Sequence, residues 1–370
     1  MKTNRRTGFV LRRCLLLLST WFLAGASCAT GGRPASTRDV GNRNNPRELG
    51  RISWNRSFDL AVRKAREVNK PLLVLFQEVP GCSTCTDYGD QVLSHPLIVD
   101  AVESFFVPVA VYNNASGDDE RVLKMFREPA WNNPVVLIMT ADRRPLAPRV
   151  ADDYSVGKLA EAMVASLSAQ NRTVPAYLRF LAEQVVASQH DLEKATLAMH
   201  CFWEGESALG AVAGIVSTRP GFVGKDEVVE VTFDPRRIDY ATVLRTAQKL
   251  DCANRVYART DRQHRLASQI VSSGAIRSNE VVRPDKQPKY YLAQTAYRFI
   301  PMSELQAMRV NHAIHENKNV DSLLSPSQRR LFDIVRRHPE ADWKNAIGAK
   351  DVAAFWKLAV KVARGVGESL

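Results

Sequence analysis

The chain alternates short unbroken apolar runs with segments in which apolar residues recur every three or four positions. In residues 54–69, Phe58, Ala61, Val62, Ala65 and Val68 share one helical face, and Lys70-Pro71 ends the pattern. Residues 72–76 form an apolar run of strand length, closed by a turn at Val79-Pro80-Gly81. A helix is expected from about Cys82, with a break at His95-Pro96 and a further helix over 97–105. Residues 106–112 and 135–140 read as strands, and 118–126 and 155–167 as helices.

A helical connector over 174–189 leads to a second series. It has strands at 192–199, 211–218 and 227–233 and helices at 203–209 and 240–250, which is α+β in character. Lys289-Tyr290-Tyr291-Leu292 and Tyr297-Arg298-Phe299-Ile300 mix bulky and basic residues. Strand pairing against the second core accounts for them better than a polyanion surface does. From Pro301 onward the pattern is helical, over 302–313, 326–335 and 351–362. In the last helix Val352, Phe355, Leu358, Ala359 and Val362 form an apolar face expected to dock on the same chain.

Composition adds bounds to this outline. With 370 residues, 45% of them hydrophobic, the chain can build more than one core, and two domains are expected. The formal charge of +12 comes without any nucleic-acid motif, so it reads as a basic solvated surface and no nucleic-acid partner is expected. Arg5, Arg6, Arg12 and Arg13 precede an apolar run at 14–26 that is too short for a membrane span, with small residues at Ala24 and Ala26 for cleavage. Residues 1–28 therefore read as an export signal, with Cys28 a candidate for lipidation and 29–49 a polar tether. The expected location is the periplasm or cell envelope, with no membrane span once the signal is removed. The remaining segments are a first domain over 50–168, the connector over 169–190, a second domain over 191–300 and a helical extension over 301–370.

Four of the six cysteines lie in the expected folded part: Cys82, Cys85, Cys201 and Cys252. So few are no disulfide framework; they read as reactive thiols in an exported protein. Cys82-Ser83-Thr84-Cys85 stands between a strand and a helix. A helix N-terminus would stabilise a Cys82 thiolate as the attacking group, with Cys85 resolving. Half of a zinc site and a structural disulfide are the alternatives. No second CxxC follows and the nearest histidine is His95, so no metal is expected. Cys201 lies between an apolar run and Phe202-Trp203, a setting that suits a core thiol or a nucleophile in an aromatic cage.

The order helix, strand, CxxC, helix, strand, helix, strand resembles the thioredoxin-like fold over about a hundred residues. Lys70-Pro71-Leu72 and Phe106-Val107-Pro108-Val109 contribute to the likeness, and Pro134 stands where that family carries its cis-proline. Gly81-Cys82-Ser83-Thr84-Cys85 replaces the family's Trp-Cys-Gly-Pro-Cys. The second half resembles the S-specific peptide methionine sulfoxide reductases. The matching stretches are His200-Cys201-Phe202-Trp203-Glu204 with Glu206 and Gly214-Ile215-Val216-Ser217-Thr218. Pro220-Gly221-Phe222-Val223-Gly224, Glu227-Val228-Val229-Glu230-Val231 and Phe233-Asp234-Pro235 continue it.

That second resemblance implies a Cys201 nucleophile, a methyl cage of Phe202 and Trp203, oxidised methionine as substrate, a thiol reductant and no cofactor. Between Gly224 and Glu227 only Lys225-Asp226 stands where the family has a long insert, so the family's acid is expected to be missing, with Glu204 as its candidate replacement. Asp261-Arg262-Gln263-His264-Arg265 stands at a substrate-binding segment, with His264 at the family's tyrosine and Asp261 near its aspartate. Cys252, or the Cys82/Cys85 pair, would resolve a Cys201 sulfenic acid. The expectation is an α/β thioredoxin-like domain fused to a shortened α+β reductase-like domain with C-terminal helices, reducing methionine S-sulfoxide. A thiol–disulfide oxidoreductase using only Cys82 and Cys85, or a non-enzymatic envelope binding protein, are the rivals.

Overall fold

The computed structural model describes residues 45–271, 274–347 and 351–370. The segment read as an export signal, Cys28 and most of the stretch read as a tether lie outside the described residues. In the first half, α1 (Phe58–Glu67) starts where the Ser57 hydroxyl accepts the Leu60 amide, four residues later than the apolar pattern alone suggests. Then follow β1 (Leu72–Gln77), α2 (Ser83–Gln91), α3 (Pro96–Phe105), β2 (Val107–Tyr112), α4 (Asp118–Phe126), β3 (Val135–Met139) and α5 (Val156–Ala169). β1 is central, parallel to β2 and antiparallel to β3. It is buried on both faces, which explains its unbroken apolar run. Leu73 and Leu75 face a core made with Leu93, Leu97, Leu159 and Leu178, while Leu72, Val74 and Phe76 face Phe58, Val122 and Leu123. This is an α/β thioredoxin-like arrangement. The tether reading fails at its end: Arg47–Leu49 is a 3₁₀ turn with Glu48 and Leu49 buried, so the fold starts before residue 50.

The second sheet follows α6 (Ala176–Ser188). Its elements are β4 (Glu193–Ala198), α7 (Phe202–Gly210), β5 (Ile215–Val223), β6 (Asp226–Phe233), α8 (Tyr240–Lys249), β7 (Arg255–Ala258), α9 (Asp261–Ile270), β8 (Ala275–Arg277) and β9 (Arg283–Pro284). The strand order is β8-β7-β4-β6-β5-β9, with β4 antiparallel to both β6 and β7. Leu197, Phe202, Val229, Val231, Tyr240 and Leu244 lie in its core. β5 begins four residues after the expected position, because Gly214 takes a left-handed φ of 91° and turns the chain into the sheet only at Ile215.

Two expectations about the C-terminal part are corrected. The segment from Lys289 is not strand: α10 (Tyr290–Ala293) and a 3₁₀ turn at Ala296–Phe299 replace it, starting from Lys289 held at φ 55°. The helices α11 (Glu304–His315), α12 (Pro326–Arg337) and α13 (Val352–Gly365) follow. The buried face of α13 is rotated from the expected one and carries Trp356, Ala359, Val360 and Ala363, leaving Leu358 exposed. Trp356 is the bulkiest apolar side chain of that helix, and its place beside Trp343 and Leu331 sets the face.

Within the described residues the two sheets belong to one compact unit. Phe180 of α6 packs on Leu305 and Met308 of α11, and the Ser327 amide and hydroxyl of α12 donate to the Asp100 carboxylate of α3 at 2.9 and 2.5 Å. Among the described residues no helix is long and apolar enough to cross a membrane.

Candidate functional site

Two thiol sites stand at the ends of central strands, each at the start of a helix. In the first, Cys82 is the N-cap of α2 and is exposed, while Cys85, one turn on, is fully buried. Their Sγ atoms are 3.8 Å apart. The Cys85 amide directed at the Cys82 sulfur lowers the Cys82 pKa, with burial working weakly the other way. Burial pushes the Cys85 thiol up to about 12, and its S–H donates to Asn133 Oδ1 at 2.6 Å. The Asn133–Pro134 peptide, which is cis, brings that loop against the pair.

The position of α2 is set by the turn ahead of α1. Gln77 Nε2 donates to the carbonyls of Glu48 and Cys85 at 2.8 and 3.1 Å, and the Gly81 amide donates to Glu48 Oε1 at 2.9 Å. The Glu78 carboxylate lies within 4.8 Å of both sulfurs, a neighbour that the strand–helix pattern gave no reason to single out.

The second site is built on β4, α7 and β6. Cys201 is the half-buried N-cap of α7. Phe202 is buried against Phe222, with ring centroids 5.2 Å apart. The half-buried Trp203 stacks on Tyr290 at 4.0 Å and donates through Nε1 to Asp285 at 3.2 Å. Only Phe202 and Trp203 of the expected substrate group therefore adjoin Cys201 along the helix.

Glu204 is exposed in the first turn of α7 and makes no hydrogen bond or ion pair among the described residues. Asp261 pairs with Arg277 at 3.0 Å, and His264 Nε2 lies 3.2 Å from the Ala275 carbonyl on β8. Both lie on α9, whose Arg262 pairs with Glu193 at the opposite end of β4 from Cys201, so the structure does not bring these two residues to the thiol. Cys252 is in the core, its Sγ donating to the Leu250 carbonyl at 3.1 Å, and burial pushes its thiol up to about 11. Asp251, Glu204 and Cys201 add to that rise, so Cys252 lies within electrostatic reach of Cys201.

The geometry brings a carboxylate other than Glu204 onto the start of α7. The tight turn at Gly224, with φ 57°, starts β6 at Asp226 and delivers Glu227 to the end of β4. The Glu227 carbonyl accepts the Met199 amide at 3.1 Å, and its carboxylate accepts the Phe202 amide at 3.0 Å. The acid therefore stands at the N-terminus of the helix that Cys201 begins, where the helix dipole favours negative charge. It also lines a cavity of about 440 Å³ with His200, Asp226, Asn254 and Arg255. The signal was present in the sequence as Glu227-Val228-Val229-Glu230-Val231, but only the hairpin's closure shows which end meets the cysteine.

The C-terminal segment is fastened to this site. Glu206, fully buried, accepts the Lys289 amide at 2.7 Å and its Nζ at 2.9 Å, and Nζ also reaches Glu304 at 3.0 Å. Burial works against the Lys289 ammonium, but Glu206 and Glu304 outweigh it and raise its pKa. Beyond this clamp, Tyr291 stacks on His315 at 4.1 Å, and His315 meets the Ser207 hydroxyl at 3.0 Å.

A protein-family model described as thioredoxin-like matches residues 53–141. The chain is 26% identical over 188 residues to the peptide methionine sulfoxide reductase MsrA of Granulibacter bethesdensis, spanning 45% of this chain and 92% of that protein. It is 39% identical over 72 residues to the MsrA of Geobacter metallireducens, and 41% identical over 69 residues to that of Methanothermobacter thermautotrophicus. Those two matches cover 15% and 14% of this chain, and only 44% and 41% of the relatives' own length. Among solved structures, a DsbH oxidoreductase is similar over 33% of this chain and 91% of its own, with 16% identity and a TM-score of 0.27. A thioredoxin from Thermus thermophilus is similar over 24% of this chain and 63% of its own, with 21% identity and a TM-score of 0.21.

Proposed function

We propose that this chain is a thiol–disulfide oxidoreductase acting through Cys82 and Cys85. The observation that carries the reading is the asymmetric pair: an exposed sulfur at a helix N-terminus, 3.8 Å from a buried one. A thioredoxin-like fold bearing such a pair supports thiol-based oxidoreductase chemistry in general. The Cys82 thiolate attacks one sulfur of a substrate disulfide, and the other sulfur leaves as a thiolate that takes up a proton. Cys85 then loses its proton and attacks Cys82 Sγ, which frees the second substrate thiol and closes a Cys82–Cys85 disulfide. The leader read in the sequence favours an exported enzyme, working where disulfides persist. Insulin reduction with C82S and C85S tests this. C85S is expected to trap a mixed disulfide through Cys82, and turnover surviving in C82S would sink the proposal.

A second reading is favoured by the Glu227 carboxylate on the Phe202 amide and by the likeness to MsrA proteins. In it the residues from about 191 to 300 act as a sulfoxide reductase unit on oxidised methionine. Cys201 attacks the sulfoxide sulfur, Glu227 delivers a proton to the oxygen, and methionine leaves a cysteine sulfenic acid that a thiol then reduces. Absence of turnover of a methionine S-sulfoxide by the dithiothreitol-supplied protein, with Cys201 titrating as a free thiol, rules this reading out.

A further inference from the structure

We infer that Glu78, Cys82 and Cys85 form a site for a thiophilic divalent cation, of which zinc is the representative, in the reduced protein. Nothing in the disulfide chemistry uses Glu78. Its carboxylate is half-buried at the end of β1, and among the described residues it has neither an ion pair nor a hydrogen bond. One carboxylate oxygen and the two Sγ atoms nevertheless lie within 4.8 Å of one another.

The spacing decides what such a group can hold. Two thiolates bound to zinc at about 2.3 Å with a tetrahedral angle sit about 3.8 Å apart, and the observed separation is 3.8 Å. A carboxylate oxygen on the same ion lies about 3.6 Å from each sulfur, against the 4.8 Å within which the three atoms now lie. Two soft sulfurs select against calcium and magnesium, and the carboxylate favours zinc over monovalent copper. Three protein ligands leave the fourth position open on the side where Cys82 is exposed.

The loop that supplies the third ligand is folded back for close contact. A Cβ on Gly81 would lie 2.4 Å from the Glu78 carbonyl oxygen and 2.7 Å from Cys85 Cβ, so only glycine lets residue 78 return over Cys85. The Gly81 amide is pinned to Glu48, and the Cys85 S–H that now donates to Asn133 Oδ1 is the proton a cation would displace. The site exists only while the pair is reduced. A disulfide oxidant draws two electrons from the two thiolates, its own sulfurs leave as thiolates, and the new Cys82–Cys85 bond takes both sulfur ligands from the ion, which departs unchanged as a divalent cation. The proposal shares two residues with the disulfide chemistry but does not rest on it, because insulin reduction repeated with a chelator present reads the disulfide chemistry alone.

The test is titration of the reduced full chain with zinc against a chromophoric chelator, with cobalt as the spectroscopic probe. One equivalent of zinc and a tetrahedral thiolate–cobalt spectrum are expected, both lost in C82S and C85S and after oxidation. E78Q is expected to bind at least about tenfold more weakly, in line with the loss of a ligand or its support. Thermal melting of E78Q establishes that the variant is folded, and E78D, with the carboxylate on a shorter arm, is expected to fall between. Absence of saturable zinc binding, or binding unchanged in C85S or in folded E78Q, overturns the site.

Discussion

The backbone amide of Phe202 donates to the carboxylate of Glu227 at 3.0 Å, so an acid from β6 rests on the first turn of the helix that Cys201 caps. The two residues are 25 positions apart, and the β5–β6 hairpin brings them together. A thiol, a carboxylate and a helix N-terminus in one place can support both nucleophilic attack and proton delivery.

For that site, E227Q is expected to lower turnover of a methionine S-sulfoxide by about 10²–10⁴, the range for loss of a general acid. C201S should abolish turnover. Steady-state kinetics with dithiothreitol as reductant checks both, and an E227Q rate equal to that of the wild type removes Glu227 from the mechanism.

At the other site, Trp131 is 82% exposed two residues ahead of Asn133, whose side chain meets Cys85. An aromatic at that place offers substrate chains an apolar contact. W131A is expected to raise KM for insulin about three- to tenfold and leave kcat nearly unchanged, because the contact is equal in ground and transition states. A fall in kcat with constant KM contradicts this role.

K289M removes the cation that neutralises buried Glu206. Breaking one side of a buried pair costs about 3–5 kcal/mol, more than an exposed bridge would. Urea unfolding should show a loss of this order, and K289M combined with E206L should recover much of it. Equal stability of K289M and the wild type would mean that the clamp contributes nothing.

His95 is buried ahead of α3 with Nδ1 unpartnered, and burial lowers its pKa from 6.5 to about 4. Below pH 6.5 the unfolded chain binds this proton and the folded chain does not. Stability from this group is therefore complete above about pH 6.5 and declines as pH falls toward about 4, by at most about 3 kcal/mol. Urea midpoints measured from pH 7.5 down to about 4.5 should fall less steeply in H95L than in the wild type. Identical slopes would exclude His95 as a source of acid sensitivity.

Gly89 holds α2 against the turn before α1, since a Cβ there would stand 1.9 Å from the Arg47 carbonyl oxygen. G89A gains about 1 kcal/mol of helix propensity. The clash is with backbone and cannot be relieved by a rotamer change, so net destabilisation of about 1–3 kcal/mol is expected, with slower disulfide turnover. Thermal melting and the insulin assay report the two effects, and a more stable G89A would refute the packing argument.

The local pattern already determined much of this protein. β1 is legible over residues 72–76 because a strand covered on both faces is apolar throughout, and the structure adds Gln77. α2 and α7 are legible because a cysteine at each strand-to-helix junction precedes a helical periodicity. The tertiary structure decided what surrounds those cysteines. Glu227 reaches the Phe202 amide beside Cys201 through hairpin closure, Glu78 reaches the sulfurs through a turn only Gly81 permits, and His264 stays on α9 against β8 despite its place in the chain. Lys289 starts a helical turn where its neighbours' composition reads as strand, because a buried charge must meet its partners and Glu206 and Glu304 are fixed on other elements. Periodicity records which face of an element is buried. The partners on that face come from distant segments, and only the packing of whole elements sets their distance and register.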